Sequence, residues 1–133
     1  TSIIALDVGE KKIGIARCYA GFGIPSPLMT IKNDENIFNE LKNIIEDENV
    51  NLIVVGLPRN LSGNFTSQTE FTRNFSNKLS TVFDIPIVEQ DESGTTKQAQ
   101  EEISSKKDSK YDDDSLAATY ILEDYLNIRT NNV

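Results

Sequence analysis

The chain has 133 residues and contains no histidine and no tryptophan, with one cysteine and one methionine. Without histidine, the commonest general base and the commonest transition-metal ligand are both missing. Any acid–base or metal chemistry must therefore rest on carboxylates. The lone cysteine, Cys18, excludes an internal disulfide framework and a multi-cysteine metal site, and it suits a reducing compartment, which predicts a cytoplasmic protein. Long apolar runs are absent too: no stretch approaches the roughly 18 residues of a membrane span, and no basic segment leads into an apolar one at the start. A soluble chain is expected. Positive charge is also scarce, 13 lysines and arginines against 21 acids for a net charge of -8, which taken alone argues against a phosphate-binding protein. Cations held by clustered carboxylates would invert that local sign. With 38% hydrophobic residues, the length suits one domain over 1–133 with its own core.

What is present is ordered. SIIALDV (2–8) and IGIARC (13–18) are apolar runs separated by Gly9, Glu10, Lys11 and Lys12, which predicts a β-hairpin. A Gly/Pro-rich connection, AGFGIPSP, leads to LMTIK, a third strand. Between Asn33 and Glu48 the residues Ile37, Leu41, Ile44 and Ile45 fall on one helical stripe. NLIVVG (51–56) is continuously apolar, as in a parallel strand buried on both faces. After the loop LPRNLSGNF, Ser67 and Glu70 form a candidate capping box for a helix carrying Phe71, Phe75, Leu79 and Val82. IPIVE (85–89) is a fifth strand, Thr95 with Gln98 a candidate cap for a third helix, and Asp114 opens the last helix. The order β-β-β-α-β-α-β-α-α predicts an α/β fold: a three-strand antiparallel meander continued by parallel strands in one five-stranded mixed sheet flanked by helices.

Three acidic positions stand out. Asp7 lies at the end of the first strand, where a carboxylate is costly unless paired or metal-bound, although an Asx-turn role in the hairpin is an equal reading. Asp91 and Glu92 follow the fifth strand at its carboxyl end, the edge where open α/β sheets bind ligands; taken alone, they also fit a polar turn. In YDDDSLAATYIL the helical register selects among three aspartates. Counting from Asp114, the residues Ala117, Ala118, Ile121 and Tyr125 fall at i+3, i+4, i+7 and i+11, so Asp114 heads the inward stripe. Asp112 and Asp113 are left to complement the helix N-terminus. If the three regions converge, their hard oxygen ligands suit Mg²⁺ or Mn²⁺ rather than zinc. Two such ions about 4 Å apart can activate a water and stabilise the leaving oxygen of a phosphodiester. Lys11, Lys12, Arg17 and Arg59 are the candidate phosphate contacts near these acids, with Lys97, Lys106, Lys107 and Lys110 further along.

Four segments together resemble the YqgF/RuvX family: ALDVGEKKIGIA, LIVVGLPRNLSG, DESGTT and DDDSLAATYILEDYL, in the family's order and spacing over nearly the whole chain. The resemblance implies an RNase H-like fold and a nuclease, described for the family both as a Holliday junction resolvase and as an enzyme maturing the 5′ end of precursor 16S ribosomal RNA. It also implies metal-binding acids at Asp7, at the Asp91/Glu92 pair and at Asp114, and a nucleic-acid contact in the GLPRNLSG loop with Gly56, Pro58, Asn60 and Gly63. Ser93 and Gly94 replace the Arg-Leu of the family's DERLTT segment, and Glu10 adds charge near Asp7. Precursor ribosomal RNA, ribosomal precursor particles or branched DNA are the implied partners, bound by a monomer or homodimer. Two other readings compete. An actin or sugar-kinase type ATPase needs a second such domain, and the chain lacks a GxxxxGK[ST] phosphate loop. An RNA-binding scaffold with a decayed site would be free to lose costly acids, yet all three positions keep theirs.

Overall fold

Apolar runs in the first 32 positions build three antiparallel strands. The computed structural model describes residues 1–21, 23–59, 64–92 and 112–131. Strands β1 (Ser2–Val8), β2 (Lys12–Tyr19) and β3 (Ser26–Lys32) pair in sequence, with Leu6 opposite Ile15 and Ile13 opposite Ile31. Gly9 closes the first hairpin by donating its N–H to the Lys12 carbonyl at 2.9 Å. A Cβ at Gly9 would stand 2.8 Å from that oxygen, so the turn needs glycine for close approach.

Helix α1 (Ile37–Asp47) buries Ile37, Leu41 and Ile44 and half-buries Ile45, the stripe its spacing predicts. Asn49 then turns the chain at φ 51, a left-handed conformation that asparagine tolerates. Strand β4 (Val50–Pro58) lies parallel to β1, and after helix α2 (Ser67–Val82) strand β5 (Ile87–Glu92) lies parallel to β4. Helix α3 (Asp113–Asn131) ends the described chain. The sheet order β3-β2-β1-β4-β5 is the mixed five-stranded arrangement expected. Among the described residues no helix is long and apolar enough to cross a membrane.

Three local expectations are corrected. The cap of α2 is built by Thr66 and Thr69 rather than Ser67 and Glu70: Thr66 Oγ1 accepts from the Thr69 N–H at 3.3 Å, and Thr69 Oγ1 from the Thr66 N–H at 2.9 Å. Thr69 wins because it is buried and its hydroxyl also donates to the Pro58 carbonyl, whereas Glu70 faces solvent. Val82 continues the predicted stripe but is 51% exposed, beyond the end of the core. Strand β5 starts later than predicted and runs through Glu92, because its pairing with β4 continues to Pro58. The helix expected at Thr95 and Gln98 lies outside the described residues.

The sheet's two faces differ in size. Ile4, Leu6, Val8, Ile13, Ile15, Ile53 and Val55 point toward α1 and α2, where Leu41, Leu79 and the stacked Phe38 and Phe75 complete a large core. The alternate residues Ala5, Ala16, Cys18 and Val54 point toward α3 and meet Ala118, Ile121 and Leu122. At Gly14 a Cβ would overlap the Asp114 carbonyl, and at Gly56 it would overlap the Ile121 side chain. The small face therefore draws α3 down onto the strands.

Candidate active site

Strands β1, β4 and β5 run parallel, so their carboxyl ends share one edge, and strand alternation then decides which side chains meet there. Asp7 follows Ile3 and Ala5 on the α3 face and sits opposite Gly14 of β2. On β5 the α3 face carries Val88, Gln90 and Glu92. Asp91 points the other way and forms an ion pair with Arg59, Nη2 to Oδ2 at 3.0 Å, with 60% of its side chain exposed. The predicted Asp91/Glu92 pair is thus split, and Glu92 is the member on the Asp7 side.

Glu92 is half-buried, and its carboxyl is pushed up to about 9. Burial is the largest cause; the Asp124 carboxyl within hydrogen-bonding reach comes next, followed by the charges of Asp124, Asp7 and Asp91. The buried Glu92 Oε1 meets no hydrogen-bond donor among the described residues. Two carboxyl groups in contact are held together only by a shared proton or a cation. Asp124 was not selected from the sequence. Its signal was slight, an acid next to Tyr125 at the margin of the α3 apolar stripe, and burial and Asp124 together also raise Glu123.

Asp114 lies in the first turn of α3, with its backbone carbonyl against Gly14, the cross-strand neighbour of Asp7. It is not among the charges acting on Glu92. Asp112 serves the helix start, as the register reading expects. Its Oδ1 accepts from the Ser115 N–H at 3.0 Å, from Ser115 Oγ at 2.8 Å and from Thr30 Oγ1 at 2.7 Å. Partial burial opposes ionisation of Asp112, but these hydrogen bonds and the charge of Lys12 outweigh it and hold the carboxyl below its usual range.

The basic candidates divide. Lys11 and Lys12 are exposed at the β1–β2 hairpin, at the same edge as Asp7. Arg59 leaves β4 beside Glu92, whose carbonyl accepts its backbone N–H at 2.8 Å. Arg17 lies further along β2 from Gly14, paired opposite Ile4; its guanidinium binds Glu48 at 2.7 Å and covers the Tyr19 ring at 4.7 Å, so the fold does not bring it to the acids. Asn60 and Gly63 lie outside the described residues, as do Ser93 and Gly94. Cys18 is buried, with its thiol pushed up by desolvation and donating to the Gly23 carbonyl at 3.1 Å, which makes it a packing residue rather than a nucleophile.

This edge can be set beside known proteins. T. thermophilus RuvC in complex with a Holliday junction substrate superimposes with a TM-score of 0.58 at 14% identity, covering 98% of this chain and 97% of that one, which supports the RNase H-like fold. A Rickettsia typhi protein named "Putative pre-16S rRNA nuclease" is 43% identical over 131 residues, 94% of this chain and 84% of that protein. A protein of the same name from Thermoanaerobacter pseudethanolicus is 38% identical over 136 residues, 97% of this chain and 98% of that protein. The family model described as RuvX, Holliday junction resolvase, matches residues 1–128, and with these relatives it establishes that the chain belongs to the RuvX family.

Proposed function

We propose that this chain is a metal-dependent nuclease that hydrolyses phosphodiester bonds at the 5′ end of precursor 16S ribosomal RNA in the cytoplasm. The observation that carries the reading is the acidic edge. Asp7 and Glu92 end parallel strands on one face, Asp124 abuts Glu92, and a buried Glu92 oxygen lacks a donor. Among the described residues no three acids are already grouped to hold a metal ion; the chemistry of these carboxylates, with no histidine in the chain, suits a hard divalent cation, Mg²⁺ or Mn²⁺, and two such ions suit the reaction. Asp7, Glu92 and Asp114 would hold the metal, which when bound supplies an activated water and neutralises charge developing on the leaving oxygen.

The chain's own residues do the rest. Asp124 packs its carboxyl against that of Glu92 and so helps to hold it in place. Asp91 fixes the Arg59 guanidinium beside the edge, where its plane can meet the nucleic acid. Lys11 and Lys12 present a second positive contact at the hairpin, along a strand passing over Gly9. Buried Gly14 leaves space only for the α3 backbone, which keeps Asp114 at the start of a fixed helix.

The test is cleavage of precursor 16S ribosomal RNA in Mg²⁺ or Mn²⁺ by the wild type and by Asp7→Asn. Loss of cleavage by about 10³-fold or more in the variant is expected, since removing one charge-stabilising group alone costs about 10²- to 10³-fold. Equal residual activity in both overturns the catalytic reading and leaves an RNA-binding scaffold. A second reading, resolution of four-way DNA junctions, is favoured by the family description and by the RuvC fold likeness. Running junction DNA beside the ribosomal precursor decides between them.

A further inference from the structure

The cleavage reading leaves unused a stack of side chains on the opposite side of β5. Phe65 immediately precedes the cap of α2 and is 51% exposed. The Arg59 guanidinium lies over its ring at 4.6 Å and the Arg73 guanidinium at 4.8 Å. Each arginine is also tied to β5, Arg59 to Asp91 at 3.0 Å and Arg73 to Glu89 at 3.7 Å. The result is a ladder of planar groups that begins one residue from Glu92. Beside it runs a groove of about 570 Å³, lined by Phe65, Ser67, Glu70, Arg73, Asn74 and Asn77 among others.

An isolated exposed phenylalanine needs no explanation. This one is half exposed and carries two guanidinium groups against its ring, whose charges Asp91 and Glu89 already balance, so the stack offers flat surfaces rather than net positive charge. Glu70 in the groove wall disfavours a phosphate there. Asn74, Asn77 and Ser67 offer donors and acceptors to the edge of a flat polar ring. The groove volume falls in the range of small-molecule sites, large enough for a single base. A base in a duplex has both faces covered, so only an unpaired one can stack here.

We infer that the Arg59–Phe65–Arg73 stack is a subsite for one unpaired base of a single-stranded segment flanking the bond to be cut. The inference rests on the nuclease reading and deepens it, by making single-strandedness next to the cleavage point part of what is recognised. Lys11 and Lys12 at the hairpin then serve the backbone, and the Phe65 groove serves a base.

The test compares Asp7→Asn with Asp7→Asn/Phe65→Ala in Mg²⁺. Binding is measured by anisotropy on a labelled RNA duplex with a single-stranded overhang and on the same duplex with blunt ends, and each label is run on a gel afterwards. Phe65→Ala is expected to weaken overhang binding about 5- to 150-fold, the range for loss of one base–aromatic stack. Blunt-duplex affinity should stay unchanged, and the fold loss should be the same at every salt concentration because no phosphate contact is removed. Phe65→Trp should restore the overhang preference, and Arg73→Lys should lose part of it by removing a planar group at constant charge. Uncut label with no overhang-specific loss, or an equal loss on both duplexes, overturns the inference and leaves the nuclease reading intact. Label cut as fast by the Asp7→Asn protein as by the wild type overturns the catalytic reading of the acidic edge, and the inference with it.

Discussion

The two faces of the sheet are made by the same strands, yet they are packed for different ends. Under α1 and α2 the strands present isoleucine, leucine and valine, and the helices answer with Leu41, Leu79 and phenylalanines. Under α3 they present Ala5, Ala16, Gly14 and Gly56, and the polar ends Asp7 and Glu92. The large face supplies most of the hydrophobic stabilisation, each buried aliphatic side chain contributing about 1.5–3 kcal/mol. The small face trades that contribution for proximity. A helix lying directly on glycine and alanine can carry Asp114 to the neighbour of Asp7 and Asp124 to Glu92, which a face of leucines would hold apart.

Four experiments would sharpen or break this contrast. The largest effect on stability is expected on the large face, where Leu41→Ala removes a fully buried side chain and should cost about 2–5 kcal/mol by denaturant unfolding. Its cleavage rate, measured where the variant is folded, should match the wild type. Gly14→Ala on the small face is expected to cost about 1–3 kcal/mol, because its methyl group must displace the α3 backbone at Asp114. Here cleavage should fall further than stability, and a variant that keeps full activity would refute the role given to close approach.

The third experiment reads the acidic edge through pH. The Glu92 carboxyl is raised from 4.5 to about 9 in the fold, chiefly by burial and then by Asp124, Asp7 and Asp91. Between those values the folded form holds a proton that the unfolded form has released. The contribution is therefore fully present below about 4.5 and is lost as pH rises through about 9. The metal-free melting temperature should decline over that window, Glu92→Gln should flatten the decline, and Mg²⁺ should raise the melting temperature most at its alkaline end. A flat profile for the metal-free wild type would contradict the buried acidic contact. The smallest effect belongs to Arg17→Ala, which removes a partly exposed ion pair with Glu48 away from the acids. A loss of no more than about 1 kcal/mol is expected, with cleavage unchanged.

Much of this was legible in the chain itself. The stripe of Ile37, Leu41 and Ile44, the apolar run of β4 and the hairpin at Gly9 follow from periodicity and turn chemistry, which act over a few residues. The inward side of α3 is legible only in part: Ala118 and Ile121 face the sheet as the register from Asp114 predicts, but Ala117 is only half-buried, and Ser115 and Leu122 complete the buried side. The capping box lies one residue earlier than spacing predicts, because Thr69 is chosen by a carbonyl at Pro58 that sequence distance hides. Sequence does not choose between Asp91 and Glu92, since the choice turns on whether β5 continues, and that depends on pairing with β4.

The sequence by itself determined the helices, the strands, the absence of histidine and hence the carboxylate character of any site, because these are properties of composition and short-range spacing. Only the tertiary structure decided which acids meet. Alternation along β5 sent Asp91 to Arg59 and Glu92 to the Asp7 face. The path of α3 across the sheet, from Thr30 of β3 at Asp112 to Glu92 of β5 at Asp124, added an acid that no local pattern marks. Those meetings depend on residues far apart in the chain whose distance is set by how closely a helix can approach a sheet.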